Sequence, residues 1–379
     1  MKNQNAILNS LQQASEENLA DIEQAKLDGR SAIGFYCLYS PTEIAVAADA
    51  IPLPLCGTRN DPIAAAEETL PRNLCPLIKS SFGFAASDTC PFFRFSDFIV
   101  GDTTCDGKKK MFELLSRYKP THVLQLPQNQ DPAAALPFWR SELERFKSIV
   151  EDHSGIAITG DRLSSAIRLM NRERAARKAL MDINQMRPAP LSGGRLLEIL
   201  FKVGFLADKE KGISLMEEVV DLAENGGFGE RDGGNGKRIL LTGVPVGVGS
   251  DKVVKIVEEC GADVVAFENC SGYKQAFTVD ESKDPMEALA EQYLSTPCSV
   301  MSPNPGRFDL LNEMIRAFSA DGVIDLTWQA CHTYNVEAYQ VDAFVQERFG
   351  MPALHLETDY TESDTEQLRV RVQAYLEML

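Results

Sequence analysis

The stretch Phe98-Ile99-Val100-Gly101-Asp102-Thr103-Thr104-Cys105-Asp106-Gly107-Lys108-Lys109-Lys110-Met111 decides the fold. A short apolar run containing β-branched residues stops at Gly101 and reads as a buried strand. A loop carrying Cys105 follows, and a helical pattern then runs over about residues 108 to 118. The next apolar run, Val123-Leu124-Gln125-Leu126, ends at Pro127. Upstream, a polar amphipathic helix over residues 7 to 28 closes at Gly29, and Ile33-Gly34-Phe35-Tyr36 forms a strand that breaks at Cys37. Pro41-Thr42-Glu43 opens a helix reaching about Ala50, before Ile51-Pro52-Leu53-Pro54-Leu55, whose prolines demote it to an edge position or an irregular strand. Strands alternating with helices specify βαβ units and a parallel sheet.

The same alternation returns later. Ile239-Leu240-Leu241, Val264-Val265-Ala266-Phe267, Val323-Ile324-Asp325-Leu326 and Leu354-His355-Leu356 are its strands. Between the two blocks, residues 132 to 225 hold long helical patterns, including one over residues 161 to 186 that carries Arg168, Arg172, Arg174 and Arg177. Six glycines between Asn225 and Gly236 mark a linker. The expected fold is α/β, with two doubly wound, Rossmann-like parallel-sheet domains at residues 1–135 and 237–379. A helical bridge and glycine-rich linker at 136–236 join them.

A chain of 379 residues exceeds one ordinary core, in keeping with two domains. The formal charge of −17 argues against a phosphate-contacting surface, so no nucleic-acid partner is expected. Met1-Lys2-Asn3-Gln4-Asn5 leads into a polar segment, and no later run reaches the roughly 18 apolar residues that span a bilayer. The expectation is a cytoplasmic protein without a membrane partner. Lys79 and Lys108-Lys109-Lys110 are the only concentrated positive charge near a candidate ligand; such a run is usually a solvated face, and its alternative use is as the face on which a partner docks.

In a reducing compartment, nine cysteines are either metal-binding or catalytic groups or small buried apolar residues. Position separates these uses better than number. Ligands of open parallel sheets bind beyond the carboxyl ends of the strands. Cys37, Cys56, Cys105, Cys270 and Cys331 all fall at or just past predicted strand ends. Cys75, Cys90 and Cys298 lie in loops or helix starts, where the helix dipole favours a thiolate. No C-x-x-C occurs, which removes the signatures of zinc ribbons, thioredoxin-like pairs and compact ferredoxins. Any cluster must be assembled from distant segments.

Gly243-Val244-Pro245-Val246-Gly247-Val248-Gly249 follows a strand but does not match G-x-G-x-x-G, and Gly236-Lys237 does not complete a Walker A loop. The first reads as a tight turn allowing close packing, and no ATP site is expected. His122, His153 and His355 form no catalytic motif. His355 lies in a strand as a hydrogen-bonded core residue, while His332 adjoins Cys331 and is a candidate proton donor or supporting hydrogen-bond donor.

Residues 70 to 83 around Cys75, the run Thr89-Cys90-Pro91-Phe92-Phe93, the opening stretch through Met111, Glu268-Asn269-Cys270 and Gln329-Ala330-Cys331-His332-Thr333-Tyr334 together resemble the 2-hydroxyacyl-CoA dehydratase superfamily. More narrowly, they resemble its double-cubane cluster proteins. The resemblance covers essentially the whole chain. It implies a four-iron cluster on Cys75, Cys105 and Cys331, with a second set drawn from Cys37, Cys90, Cys270 and Cys298. Cys37 and Cys90 are not ranked by the sequence, Cys260 reads as structural, and Cys56 fits either role.

The implied cofactor is an iron–sulfur cluster of two four-iron cubanes bridged by sulfide, 8Fe-9S, or alternatively one 4Fe-4S cluster. The implied partners are an ATP-hydrolysing iron–sulfur activator protein, ferredoxin or flavodoxin upstream of it, and a second copy of the chain in a homodimer. The implied activity is reduction of small unsaturated substrates with low-potential electrons. The alternative is a 2-hydroxyacyl-CoA dehydratase subunit acting through a ketyl radical at a four-iron cluster.

Overall fold

The computed structural model describes residues 4–228 and 236–379. Among these, short and largely buried apolar runs form two four-stranded parallel sheets. The first contains β1 (Ala32–Phe35), β2 (Ile51–Pro54), β3 (Phe98–Asp102) and β4 (Thr121–Leu124) in the order β2-β1-β3-β4. The second contains β5 (Arg238–Gly243), β6 (Asp263–Phe267), β7 (Gly322–Trp328) and β8 (Ala353–Thr358) in the order β6-β5-β7-β8. The two orders are topologically equivalent. In each, the strand order reverses beside the first strand, which opens a crevice at the carboxyl ends.

β2 lies at the edge its prolines require. β4 begins and ends two residues earlier than the apolar pattern suggests. The amides of Gln125 and Leu126 leave the ladder to donate to Glu142 Oε2 at 2.7 Å and Thr103 Oγ1 at 2.9 Å. Part of the predicted glycine linker, residues 229–235, lies outside the described residues.

The long helices Pro132–Ser154, Gly160–Asp182, Gly193–Gly204 and Lys209–Glu224 occupy the intervening segment. The predicted helix ending at 186 stops being α-helical at Asp182 and tightens into one short 3₁₀ turn, Ile183–Gln185. The N-terminal helix Gln4–Leu27 is fastened to this segment through Asn18, whose amide donates to Phe205 O and whose Oδ1 accepts from Ala207 N, both at 2.9 Å.

Loops from the two sheets bond directly to one another. Tyr39 OH donates to Thr296 O at 2.9 Å, Thr58 Oγ1 to Val248 O at 3.1 Å and Tyr360 OH to Gly57 O at 2.6 Å. The 243–249 turn packs against the other half of the chain, since a Cβ at Gly247 would lie 2.8 Å from Thr58 Cγ2 and 2.9 Å from Phe201 Cε2. Its amides are already engaged, with Val246 N donating to Ser271 Oγ and Gly247 N to Ser250 Oγ, each at 3.0 Å. Close packing is the physical use of these glycines.

His122, on β4, stacks on Phe146 with ring centroids 5.7 Å apart. Burial, reinforced by Arg145, lowers its pKa from 6.5 to about 4. The folded ring therefore refuses a proton that the unfolded chain accepts. Its stability contribution is complete above the ordinary histidine value and is lost as pH falls from 6.5 towards 4. His122→Phe, which keeps the stacked ring, is expected to flatten this acid slope in urea midpoints measured across that window. An unchanged slope would show that other groups control it.

Candidate functional site

Four cysteines stand immediately before helices. Cys75 precedes Pro76–Ala86, Cys90 precedes Pro91–Phe95, Cys105 precedes Asp106–Leu115 and Cys331 precedes His332–Phe349. Pro76 and Pro91 at first helical positions fix the start where a free amide is not needed. Cys105 Sγ accepts from Lys108 N at 3.5 Å, and Cys90 Sγ from Phe93 N at 3.4 Å. Ala330 sits in the left-handed region at φ 60, turning the chain sharply from β7 into the Cys331 helix.

These loops meet the second sheet's loops around a cavity of about 650 Å³. Cys75, Cys105 and Cys331 line it, as do Cys37, Cys270, Cys298 and Cys56. Cys90 is not part of the lining, and Cys260 lies elsewhere beside Arg369. All the thiols are free.

The lining thiols fall into groups by mutual influence. Cys75 is held below its ordinary pKa chiefly by the Cys331 thiol, while Cys331 is raised by surrendering that shared position to Cys75. Burial pushes Cys105 up, with the charge at Cys331 adding to the effect and Lys108 opposing it. Across the cavity, burial pushes Cys270 up to about 12, and the neighbouring Cys298 charge adds to it. Cys37 rises through burial and then Asp102, with smaller contributions from Cys270 and Cys298. Cys56 is pushed up to about 12 by burial. Cys75, Cys105 and Cys331 thus form one group by mutual influence, Cys37, Cys270 and Cys298 another, and Cys56, influenced by Cys90, belongs to neither.

Lys108 lines the same cavity and is acted on by members of both groups. Burial opposes its charge, but the negative potential of Cys37, Asp102, Cys105 and Cys270 prevails and raises its pKa. This corrects the expected docking face, because Lys108 points towards the cavity and is half-buried. Lys109 and Lys110 are exposed and paired with Asp106 and Glu113. Lys79 is buried, donating to Glu67 Oε1 at 2.9 Å and Arg72 O at 3.1 Å. The basic run is divided between the cavity and solvent.

Behind Cys298 lies a buried polar wall. Tyr334 OH is 3.9 Å from Cys298 Sγ and accepts from Lys274 Nζ at 3.3 Å. Lys274 pairs with Glu268 at 3.0 Å. Arg307, fully buried, reaches Thr242 Oγ1 at 2.9 Å and Asp325 Oδ1 at 3.3 Å, and also pairs with Glu337. Burial alone would raise Glu268, but Lys274 and Arg307 together hold it below the usual carboxylate range.

His332 is exposed and lines the cavity beside Cys331. His355 accepts or donates a 3.1 Å hydrogen bond with Thr327 Oγ1 in the second sheet. Lys108, Lys274 and Tyr334 were not singled out from the sequence as cavity residues. Their spacing held a signal: Lys108 and Tyr334 each lie three residues after a cysteine at a helix start, within the same first turn.

Among the described residues, no three His, Cys, Asp or Glu side chains converge tightly enough to hold a single metal ion. A multi-iron cluster makes a different demand, since its irons take separate thiolates and the donors surround a volume. None of the described helices is long and apolar enough to cross a membrane.

A cavity ringed by cysteines at the carboxyl ends of two parallel sheets defines a class of thiol-rich α/β proteins. Comparison then narrows the class. The chain belongs to the family described as 2-hydroxyglutaryl-CoA dehydratase, D-component, whose profile matches residues 37–379. It is 41% identical over 376 residues to a protein of Escherichia coli (strain K12) named "Putative dehydratase subunit YjiM", covering 99% of this chain and 98% of that one. It is 26% identical to the (R)-phenyllactyl-CoA dehydratase beta subunit of Clostridium sporogenes, covering 93% and 92%. It is 24% identical to a benzoyl-CoA reductase subunit of Thauera aromatica, covering 81% and 77%. The relatives are thus subunits of dehydratases and of a reductase.

The Arg307 wall is expected to be structural. Arg307→Met leaves Glu268, Asp325 and Glu337 without their shared cation, and removing one partner of a buried ion network costs about 3 kcal/mol. Urea denaturation of the variant measures this. A shift of only a few tenths of a kcal/mol would show that the network contributes little to stability.

Proposed function

We propose that the chain is an iron–sulfur reductase component carrying two four-iron cubanes bridged by sulfide. Cys75, Cys105 and Cys331 would hold one cubane, and Cys37, Cys270 and Cys298 the other. The observation that carries this reading is that six of the seven cysteines lining the cavity influence one another as two sets of three, with Lys108 acted on by members of both, while Cys56 joins neither set. The donor chemistry fits, because burial disfavours isolated thiolates and iron reverses that preference by binding the deprotonated sulfur. Cys90 stands outside the lining, and Cys37 is therefore preferred to it. When bound, such a cluster supplies low-potential electrons to a small unsaturated substrate.

The chain's own residues would prepare the site. Lys108 offsets negative charge between the two cysteine groups, and Tyr334 with Lys274 fixes the wall behind Cys298. His332, exposed beside Cys331, is placed to deliver a proton at the cavity's edge. The amides of the 243–249 turn are used internally, and hydrolysis of ATP belongs to a separate iron–sulfur activator fed by ferredoxin or flavodoxin. The working unit is a cytoplasmic homodimer of two Rossmann-like domains, 1–135 and 237–379, joined by the 136–236 segment. A second reading, a 2-hydroxyacyl-CoA dehydratase subunit with one four-iron cluster, draws on the names of several relatives.

Serine replacement tests the ligand sets separately. Cys75→Ser, Cys105→Ser and Cys331→Ser, and likewise Cys37→Ser, Cys270→Ser and Cys298→Ser, are expected to lower bound iron in protein purified without oxygen. Cys90→Ser and Cys260→Ser should retain it. Loss confined to the first three would favour the one-cluster dehydratase, and full retention in all six would remove the assignment.

A further inference from the structure

The cavity extends beyond the cysteines to the helices Gly160–Asp182 and Gly193–Gly204, where Leu200, Phe201 and Phe205 make its wall apolar. Three cations line this arm: Arg174, Arg177 and Lys209. Arg174 is engaged, with Nη2 donating to Glu43 Oε1 at 2.6 Å and Tyr293 OH at 3.0 Å, and Nη1 to Asn171 Oδ1 at 3.2 Å. Lys209 Nζ reaches Glu173 Oε1 at 3.4 Å.

Arg177 is different. Its side chain is only 5% exposed, yet the nearest carboxylate oxygen, on Glu173, stands 3.8 Å away, beyond hydrogen-bond length. Among the described residues its guanidinium makes no hydrogen bond. The group lines the cavity, and its Nη2 lies 3.6 Å from where a Cβ on Gly204 would stand. A guanidinium set this deep, facing the cavity with one carboxylate at 3.8 Å and no protein acceptor within hydrogen-bond length, leaves donors free for an acceptor held in the cavity. Burial pulls its pKa down, which is the same cost expressed as proton affinity.

The local charge selects the ligand class. Three cations against two carboxylates, Glu43 and Glu173, leave one net positive charge, which balances a monoanion. A planar carboxylate matches the guanidinium fork. We infer that Arg177 anchors a subsite for a small monocarboxylate, whose carbon body lies along Leu200, Phe201 and Phe205 towards the cysteines. This deepens the reductase reading and rests on it for the reaction, because it names the substrate class as a free carboxylic acid.

Calorimetric titration with butyrate tests the subsite, using anaerobically purified protein whose iron has been counted. Butyramide is the neutral isostere and inorganic phosphate the competing anion. Butyrate should bind and butyramide should not. Arg177→Met should weaken butyrate by about tenfold or more, with partial recovery in Arg177→Lys. Gly204→Leu keeps the charge but fills the space before Nη2, and it should weaken binding too; it decides the matter if Arg177→Met does not fold. Equal affinity in the parent and a folded Arg177→Met, binding of butyramide as tight as butyrate, or preference for phosphate would overturn the assignment. Butyrate binding to a chain without iron upholds the subsite and contradicts the reductase reading. An iron-loaded chain that ignores butyrate contradicts the subsite alone.

Discussion

Lys108 places one ammonium group within the combined influence of Cys37, Asp102, Cys105 and Cys270, the charge that the two cysteine groups of the cavity share. Asp102 is fully buried at the end of β3, and burial raises its pKa while Lys108 opposes the rise. Without a cation at this point, the carboxyl and the sulfurs, once deprotonated as metal ligands, would face one another across a poorly solvated space, where like charges repel strongly. The backbone supplies the position directly. Cys105 ends the loop after β3, its sulfur accepts the Lys108 amide, and the lysine side chain leaves the same first helical turn to line the cavity.

The rest of the molecule keeps two sets of loops facing each other. Equivalent strand orders in the two sheets open equivalent crevices, and the bonds of Tyr39, Thr58 and Tyr360 across the halves close one crevice over the other. On one side, the buried network of Arg307, Glu268 and Lys274 fixes the wall behind Cys298. On another, the intervening helices supply an apolar wall with Arg177 set into it. Thiols, a central cation and a remote guanidinium thus share one cavity, which links the electron-bearing chemistry proposed here to a place for holding an organic acid.

The fold was legible because short apolar runs and helical periods alternate clearly, and even the edge position of β2 followed from Pro52 and Pro54. Boundaries moved where side chains replaced ladder partners, as Glu142 and Thr103 do beyond β4. The rule that ligands gather beyond strand ends pointed to Cys37, Cys56, Cys105, Cys270 and Cys331, all of which line the cavity. Linear order could not separate Cys37 from Cys90, since both sit near apolar segments and only the packing of distant loops tells them apart. The lysine run is divided for a related reason. Consecutive helical residues point in different directions, so Lys108 enters the cavity while Lys109 and Lys110 face solvent. Arg177 looked like part of a charged helix face, but Lys209–Glu224 packs on that helix and covers it.

The central claim is that one chain holds two four-iron units in this cavity, and counting iron and acid-labile sulfide in protein purified without oxygen tests it most directly. The account predicts about eight irons per chain, two per-chain cubanes in all. About four irons per chain, with a single cluster's electron paramagnetic signal, would contradict it and leave the one-cluster dehydratase in its place.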